Sequence, residues 1–278
     1  MSPVHDTATL LVSCRDRTGL VATLSNFVFI NNGNILDLDQ HSDESNGTFF
    51  MRLQWSLAAF TLDRAGISAA LTGFARSLGI EWSLTFGSDR QRVAVLVSKT
   101  PHCLYDLLQH HQLGELGGDI AVVASNHADL QPVAEHFDIP FIHCAVEPAA
   151  KAAAEQRLAH LLTEHRIDLV VLARYMQILS PEFVRHRPGR IINIHHSFLP
   201  AFVGAKPYHQ AKERGVKLIG ATAHYVTEEL DQGPIIEQDV ARVSHRDGVD
   251  ELVRKGRDLE RRTLTRAVRL HLERRVLI

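Results

Sequence analysis

From residue 93 onward the chain carries short apolar runs with no polar interruption: Val93–Val97, Ile120–Ala124, Phe141-Ile142, Leu169–Leu172 and Ile191–Ile194. A strand buried on one face alternates apolar with polar residues, whereas a strand buried on both faces is apolar throughout. Stretches with helical spacing separate the runs, starting near Pro101, Leu130 and Pro148. Strands of this kind in this alternation predict a mostly parallel, Rossmann-like α/β sheet with helices on both sides. Ligands of such sheets lie beyond the carboxyl ends of the strands, so chemistry is expected just after each run. Val216–Tyr225 and Ile235–Val243 then predict a strand pair, and Val249–Leu272 a long helix rich in basic residues.

The first part of the chain has a different period. Thr7–Cys14, Ile35–His41, Thr48–Leu57 and Ile80–Phe86 have strand character, and Gly19–Ile30 and Arg64–Leu78 have helical spacing. The order βαββαβ predicts a ferredoxin-like unit. The polar stretch Gly87-Ser88-Asp89-Arg90-Gln91-Arg92 suits a linker, so domains are expected over 1–87 and 88–278.

Composition narrows the function. The 278 residues include 30 basic and 32 acidic ones, a net charge of -2, which gives no overall attraction to nucleic acid or an acidic membrane surface. No apolar run approaches the roughly 20 residues needed to cross a bilayer, and the first residues, Met1 to Asp6, show no secretory pattern. Cys14, Cys103 and Cys144 are widely spaced and odd in number, which speaks against a disulfide framework and fits a reducing, cytoplasmic setting. The expected partner is a small molecule, with no nucleic acid and no membrane.

The run at 191 ends as Asn193-Ile194-His195-His196-Ser197-Phe198-Leu199-Pro200. Asn193 and His195 are two apart and share one side of an extended chain. A carboxamide can donate to a carbonyl oxygen, and an imidazole can donate or move a proton. Leu230-Asp231-Gln232-Gly233-Pro234 places a carboxylate on a turn, and beside His195 it would favour imidazolium and hold or deprotonate water. No serine or cysteine nucleophile accompanies them, which favours direct attack on a carbonyl. Residue types alone also allow a loop-fixing role for Asn193 and His195, and a plain turn at Asp231. His195 and His196 are adjacent and lack a clear third ligand, so no metal is expected.

Three segments in order resemble the folate-dependent formyltransferases. They are Ile192–Phe202 with Gly204, then His224-Tyr225-Val226 with Asp231-Gln232-Gly233-Pro234, and Ala173–Val184, which resembles a pterin-contacting segment. The resemblance implies Asn193, His195 and Asp231 as catalytic residues, and a folate pocket lined by Met176, Gln177, Ile178, Leu179, Val184, Val226 and Leu230. Members acting on glycinamide ribonucleotide have a glycine-rich loop after the first strand that cradles the acceptor phosphate. Here that segment is Ser98-Lys99-Thr100-Pro101-His102-Cys103, without glycine, and predicts a Thr-capped helix with Pro101 first. If no amine acceptor is held, water takes its place.

Asp16-Arg17-Thr18-Gly19-Leu20-Val21 with Gly33-Asn34-Ile35 resembles an ACT domain. The resemblance implies a candidate amino-acid effector site at Asp16, Arg17, Gly19, Leu20, Asn34 and Ile35, and a homo-oligomer. An ACT unit ahead of such a domain, with Lys206-Pro207-Tyr208-His209-Gln210, resembles a hydrolytic branch of the family. That branch implies hydrolysis of 10-formyltetrahydrofolate to formate and tetrahydrofolate, balancing one-carbon pools and supplying formate for purine synthesis, with no cofactor. Formyl transfer to an amine and a weakly catalytic folate sensor are the alternatives. Arg254, Arg257, Arg261, Arg262, Arg266 and Arg269, interleaved with Asp258 and Glu260, predict a solvated or subunit-facing helix surface. The chain ends at Arg275-Val276-Leu277-Ile278, sooner after its last helix than related proteins, so a last apolar segment is expected to be short.

Overall fold

A computed structural model of the chain describes residues 6–147, 150–200 and 207–278. The chain divides into two units, residues 1–90 with 274–278, and residues 91–273. The first unit runs β1 (Thr7–Arg15), α1 (Leu20–Ile30), β2 (Asn34–Asp43), β3 (Thr48–Ser56), α2 (Arg64–Leu78) and β4 (Glu81–Phe86). Its four strands lie in the order β2-β3-β1-β4, paired antiparallel. This is the ferredoxin-like plan with an ACT-like sheet. Alternation puts Leu10, Val12, Met51, Leu53 and Trp55 on the face that packs with Leu24, Phe27 and Leu71 of the helices. Asp63 caps α2 by accepting a hydrogen bond from Gly66 N at 2.7 Å, and Gly79 ends it in the left-handed region.

The tail 274–278, expected with the second domain, groups with the first unit. The cause is polar: Arg52 Nε donates to the Arg274 carbonyl at 3.1 Å, and Arg275 pairs with Asp39 at 3.5 Å.

The second unit contains β5 (Arg92–Val97), α3 (His102–Gln112), β6 (Asp119–Ser125), α4 (Gln131–His136), β7 (Phe141–His143), α5 (Lys151–Glu164) and β8 (Leu169–Leu172). It continues through α6 (Pro181–Arg185), β9 (Ile191–His195), α7 (Pro207–Glu213), β10 (Leu218–Tyr225), β11 (Ile235–Arg242) and α8 (Val249–Leu272). The sheet order is β11-β10-β9-β8-β5-β6-β7. Strands β5 to β9 are parallel, and β10 and β11 are added antiparallel. One face is covered by Leu158, Leu161 and Leu162 of α5 and by Phe183 and Val184 of α6. On the other side α8 packs on α3, β9, β10 and β11. Removing a side chain such as Leu158 down to alanine would cost about 2–5 kcal/mol.

Two expectations about helix starts need amendment. α3 is not capped by Thr100: Pro101 holds the cap position, with no side-chain cap hydrogen bond. Proline lacks an N–H and its fixed φ suits the helix entry. The helix expected near Pro148 begins at Lys151, and Pro148 lies outside the described residues. Ala201, Phe202, Gly204 and Lys206 of the resembling segments also lie outside them.

Candidate active site

β9 is an interior strand, and its register builds the site. Leu172 pairs with Asn193 on one side, and His224 and Thr222 of β10 lie opposite Asn193 and His195 on the other. Side chains opposite one another in an antiparallel pair share a face, so Asn193 meets His224 there. Asn193 Nδ2 and His224 Nε2 are 3.3 Å apart. His224 Nδ1 is 2.9 Å from the Tyr225 carbonyl, which can only accept, so Nδ1 carries the proton of that bond. His224 Nε2 is thereby turned toward the Asn193 carboxamide.

The turn after β10 returns a carboxylate to this face. Asp231 adopts a left-handed φ of 57°. Two residues on, a Cβ at Gly233 would lie 1.8 Å from the Tyr225 carbonyl oxygen, so only glycine lets the turn lie this close to β10. Asp231 Oδ2 is 3.2 Å from His195 Nδ1, and Oδ1 is 3.6 Å from His224 Nε2. These histidine contacts, that with His195 first, hold the Asp231 carboxyl well below the usual carboxylate range. His195 is buried, and its Nε2 has no hydrogen-bond partner among the described residues. Asn193, His195 and Asp231, the three residues expected to be catalytic, therefore lie together in space, and His224 lies among them. The loop beyond β9 is tied to β10 by Thr222, whose Oγ1 donates to the Ser197 carbonyl and accepts from Leu199 N.

The expected folate residues divide into two groups. Val184 is buried in the core, with Leu179 and Val226 packed against it. Met176, Ile178 and Leu230 are apolar yet 59%, 61% and 59% exposed, as an apolar ligand surface would be. Gln177, Ile178 and Leu179 also border a recess with Tyr175, Cys144 and Lys151 that does not reach the trio.

In the first unit, Leu20 is a core residue, Ile35 packs against the core, and Arg17 donates to the Leu78 carbonyl at 2.6 Å. Asp16 and Asn34 are exposed, and Gly19 takes a left-handed φ of 89° at the start of α1.

A second polar cluster went unread in the sequence. Glu260 was expected on a solvated surface, but it is only 2% exposed. Tyr208 Oη donates to it at 2.7 Å, His102 Nε2 at 2.9 Å, and Arg174 Nε lies 3.5 Å away. Burial alone would raise the Glu260 carboxyl, but the His102 bond and the Arg174 charge outweigh it and the net shift is downward. The signal lay in the helical spacing: Leu252, Gly256, Leu259, Glu260 and Thr263 share the buried face of α8. The arginines of α8 do lie outward, several paired with Glu251, Asp258, Asp239 or Glu237. His102, Cys103 and Glu260 approach one another as metal ligands might. Burial holds the Cys103 thiol well above its usual value, and Glu260 takes hydrogen bonds from Tyr208 and His102.

The fold is that of an α/β enzyme, and residues 91–268 match the model of the formyl transferase family. A formyltetrahydrofolate deformylase from Synechocystis is 54% identical over 98% of this chain and 95% of its own length. The crystal structure of a formyltetrahydrofolate deformylase from Pseudomonas syringae superposes with a TM-score of 0.96, at 50% identity over 99% of this chain and 92% of that one. A glycinamide ribonucleotide transformylase from Symbiobacterium toebii gives 0.65, at 36% identity over 70% of this chain and 94% of that one. This chain belongs to the formyltetrahydrofolate deformylase family. Among the described residues no helix is long and apolar enough to cross a membrane.

Proposed function

We propose that the protein hydrolyses 10-formyltetrahydrofolate to formate and tetrahydrofolate, with Asn193, His195 and Asp231 as the catalytic residues. The observation that carries the roles is the His195 ring, held through Nδ1 by Asp231 at 3.2 Å with Nε2 left for substrate. An N–H of Asn193 and the protonated Nε2 of His195 would receive the formyl oxygen as it gains negative charge. Asp231 balances the imidazolium and orients the attacking water. Its depressed pKa makes it a weak base toward free water. Bond formation to carbon acidifies that water, so the proton can pass to Asp231 late and on to N10 as the carbon–nitrogen bond breaks. The balance needs water alone and no cofactor.

Met176, Ile178 and Leu230 are proposed to receive the pterin, with Gln177, Leu179, Val184 and Val226 shaping the wall behind them. A reducing cytoplasm suits the three free cysteines, and an amino acid is the proposed effector at Asp16, Gly19 and Asn34. The reading is tested by measuring formate release from 10-formyltetrahydrofolate with no amine present. Release well above the uncatalysed rate is expected; turnover only after an amine is added would restore the transferase alternative.

A further inference from the structure

We propose that a cavity at the amino ends of β8 and β9 is a second binding site, for a small anion that carries a phosphate group. Asp168 and Arg190, which line it, immediately precede these two strands. Asn193 and His195 stand toward the other end of β9, so the site is separate from theirs and does not depend on the reaction proposed above.

The cavity has a volume of about 370 Å3, and Arg166, Arg187, Arg190, His186 and Asp168 supply its polar lining. Local structure brings the arginines together. Arg166 takes a left-handed φ of 52° just past the end of α5 and turns the chain toward β8. Arg187-Pro188-Gly189-Arg190 is a tight turn closed by Arg190 N, which donates to the Arg187 carbonyl at 3.1 Å. The Arg190 carbonyl accepts from Val170 N at 2.9 Å, which fixes the turn against β8. The Arg187 guanidinium lies over the Phe183 ring, 4.5 Å from its centre.

The charges of the lining are out of balance. Three guanidiniums stand with one carboxylate, an excess of two positive charges. That carboxylate, Asp168, already accepts from Arg92 N at 2.8 Å. Among the described residues none of the three arginine side chains makes a hydrogen bond or an ion pair. Elsewhere in the second unit Arg185, Arg254, Arg261, Arg262 and Arg266 each hold an acid. Capping of α5 does not account for the cluster, since Arg92 Nε serves its end by donating to the His165 carbonyl at 2.7 Å. Burial lowers the Arg187 guanidinium from its ordinary value. The fold thus holds this charge partly away from water, and a bound anion would offset that cost.

A phosphate group carries about -1.5 to -2 charges near neutral pH and offers three acceptor oxygens. It matches both the excess charge and the planar donor forks of arginine. A single carboxylate would leave one positive charge uncovered.

The test is calorimetric titration of the full-length protein with inorganic phosphate, ribose 5-phosphate and succinate, at one ionic strength held with chloride. Both phosphates are expected to bind once per chain and more tightly than succinate. Tighter binding of ribose 5-phosphate would identify a phosphorylated small molecule as the occupant, and equal or weaker binding would identify free phosphate. Arg190→Gln, on the exposed side of the turn, and Arg187→Gln are each expected to weaken phosphate binding about tenfold, or about 1.4 kcal/mol. Thermal melting checks folding, and if Arg187→Gln is unfolded, Arg190→Gln decides. No binding of either phosphate, affinity unchanged in the folded variants, or succinate bound as tightly as phosphate would each overturn the proposal.

Discussion

The two polar clusters of the second unit each join a carboxylate to histidine, one closed in by α3, α7 and α8 and the other open at the carboxyl end of β9. Around Glu260 the carboxylate is buried, takes hydrogen bonds from Tyr208 and His102, and lies beside the Arg174 charge. Around Asp231 the carboxylate lies beside two histidines, and His195 Nε2 is without a hydrogen-bond partner among the described residues. Buried polar groups are normally satisfied, and a well-formed exception marks where a ligand completes the set. Both clusters hold such atoms among the described residues, His102 Nδ1 and Arg174 Nε in one and His195 Nε2 in the other, so an unpartnered buried atom alone does not mark chemistry; its place at a strand's carboxyl end does.

The sharpest way to break this contrast is to change the open cluster. Asp231→Asn keeps the shape and removes the charge that holds His195. It is expected to lower the rate of formate release by about 10³-fold, while folate binding measured at equilibrium stays near wild type. Near-normal turnover would remove Asp231 from the mechanism. Asn193→Ala takes away one oxyanion donor, and a loss of about 10²-fold in kcat is expected. A change confined to KM would instead make Asn193 a binding residue.

Changes to the closed cluster should be felt first in stability. Gly256→Ala pushes a methyl group into the Tyr208 hydroxyl, and overpacking of this kind costs about 1–3 kcal/mol, read as a lower melting point. An unchanged melting point would mean that Tyr208 has room to move.

His196, between the clusters, supplies the smallest effect. Its folded pKa of about 4 lies below the ordinary histidine value of 6.5, so between these pH values the unfolded chain binds more protons than the native one. Stability must then fall as pH drops through that window, by about 1–2 kcal/mol when partial exposure is discounted. His196→Gln should flatten that part of the curve, and identical slopes would place the titration elsewhere.

Much of this was legible in the chain because period reports burial. The uninterrupted runs at 93, 120, 169 and 191 located the parallel strands, and the alternation over 48–57 located an antiparallel one. Asn193, His195 and Asp231 stood out because polar residues closed an apolar run or sat on a glycine-proline turn. What was missed depended on long-range contact. α6 spans only Pro181–Arg185 and is too short to show a period. Glu260 is a charged residue among arginines, and only its phase on α8 against Gly256 and Leu259 told of burial. The return of 274–278 to the first unit rests on Arg52 and Asp39, far away in sequence. His224 stood in a resembling segment, but its place opposite Asn193 follows only from the register of β10 on β9.

The central claim is that the open cluster directs water onto a folate-borne formyl group. The most direct measurement supplies 10-formyltetrahydrofolate in oxygen-18 water with no amine present and follows the label in the formate released. The account predicts rapid release of formate carrying one labelled oxygen, largely lost in Asp231→Asn. Release no faster than in the absence of protein, until an amine is added, would contradict it.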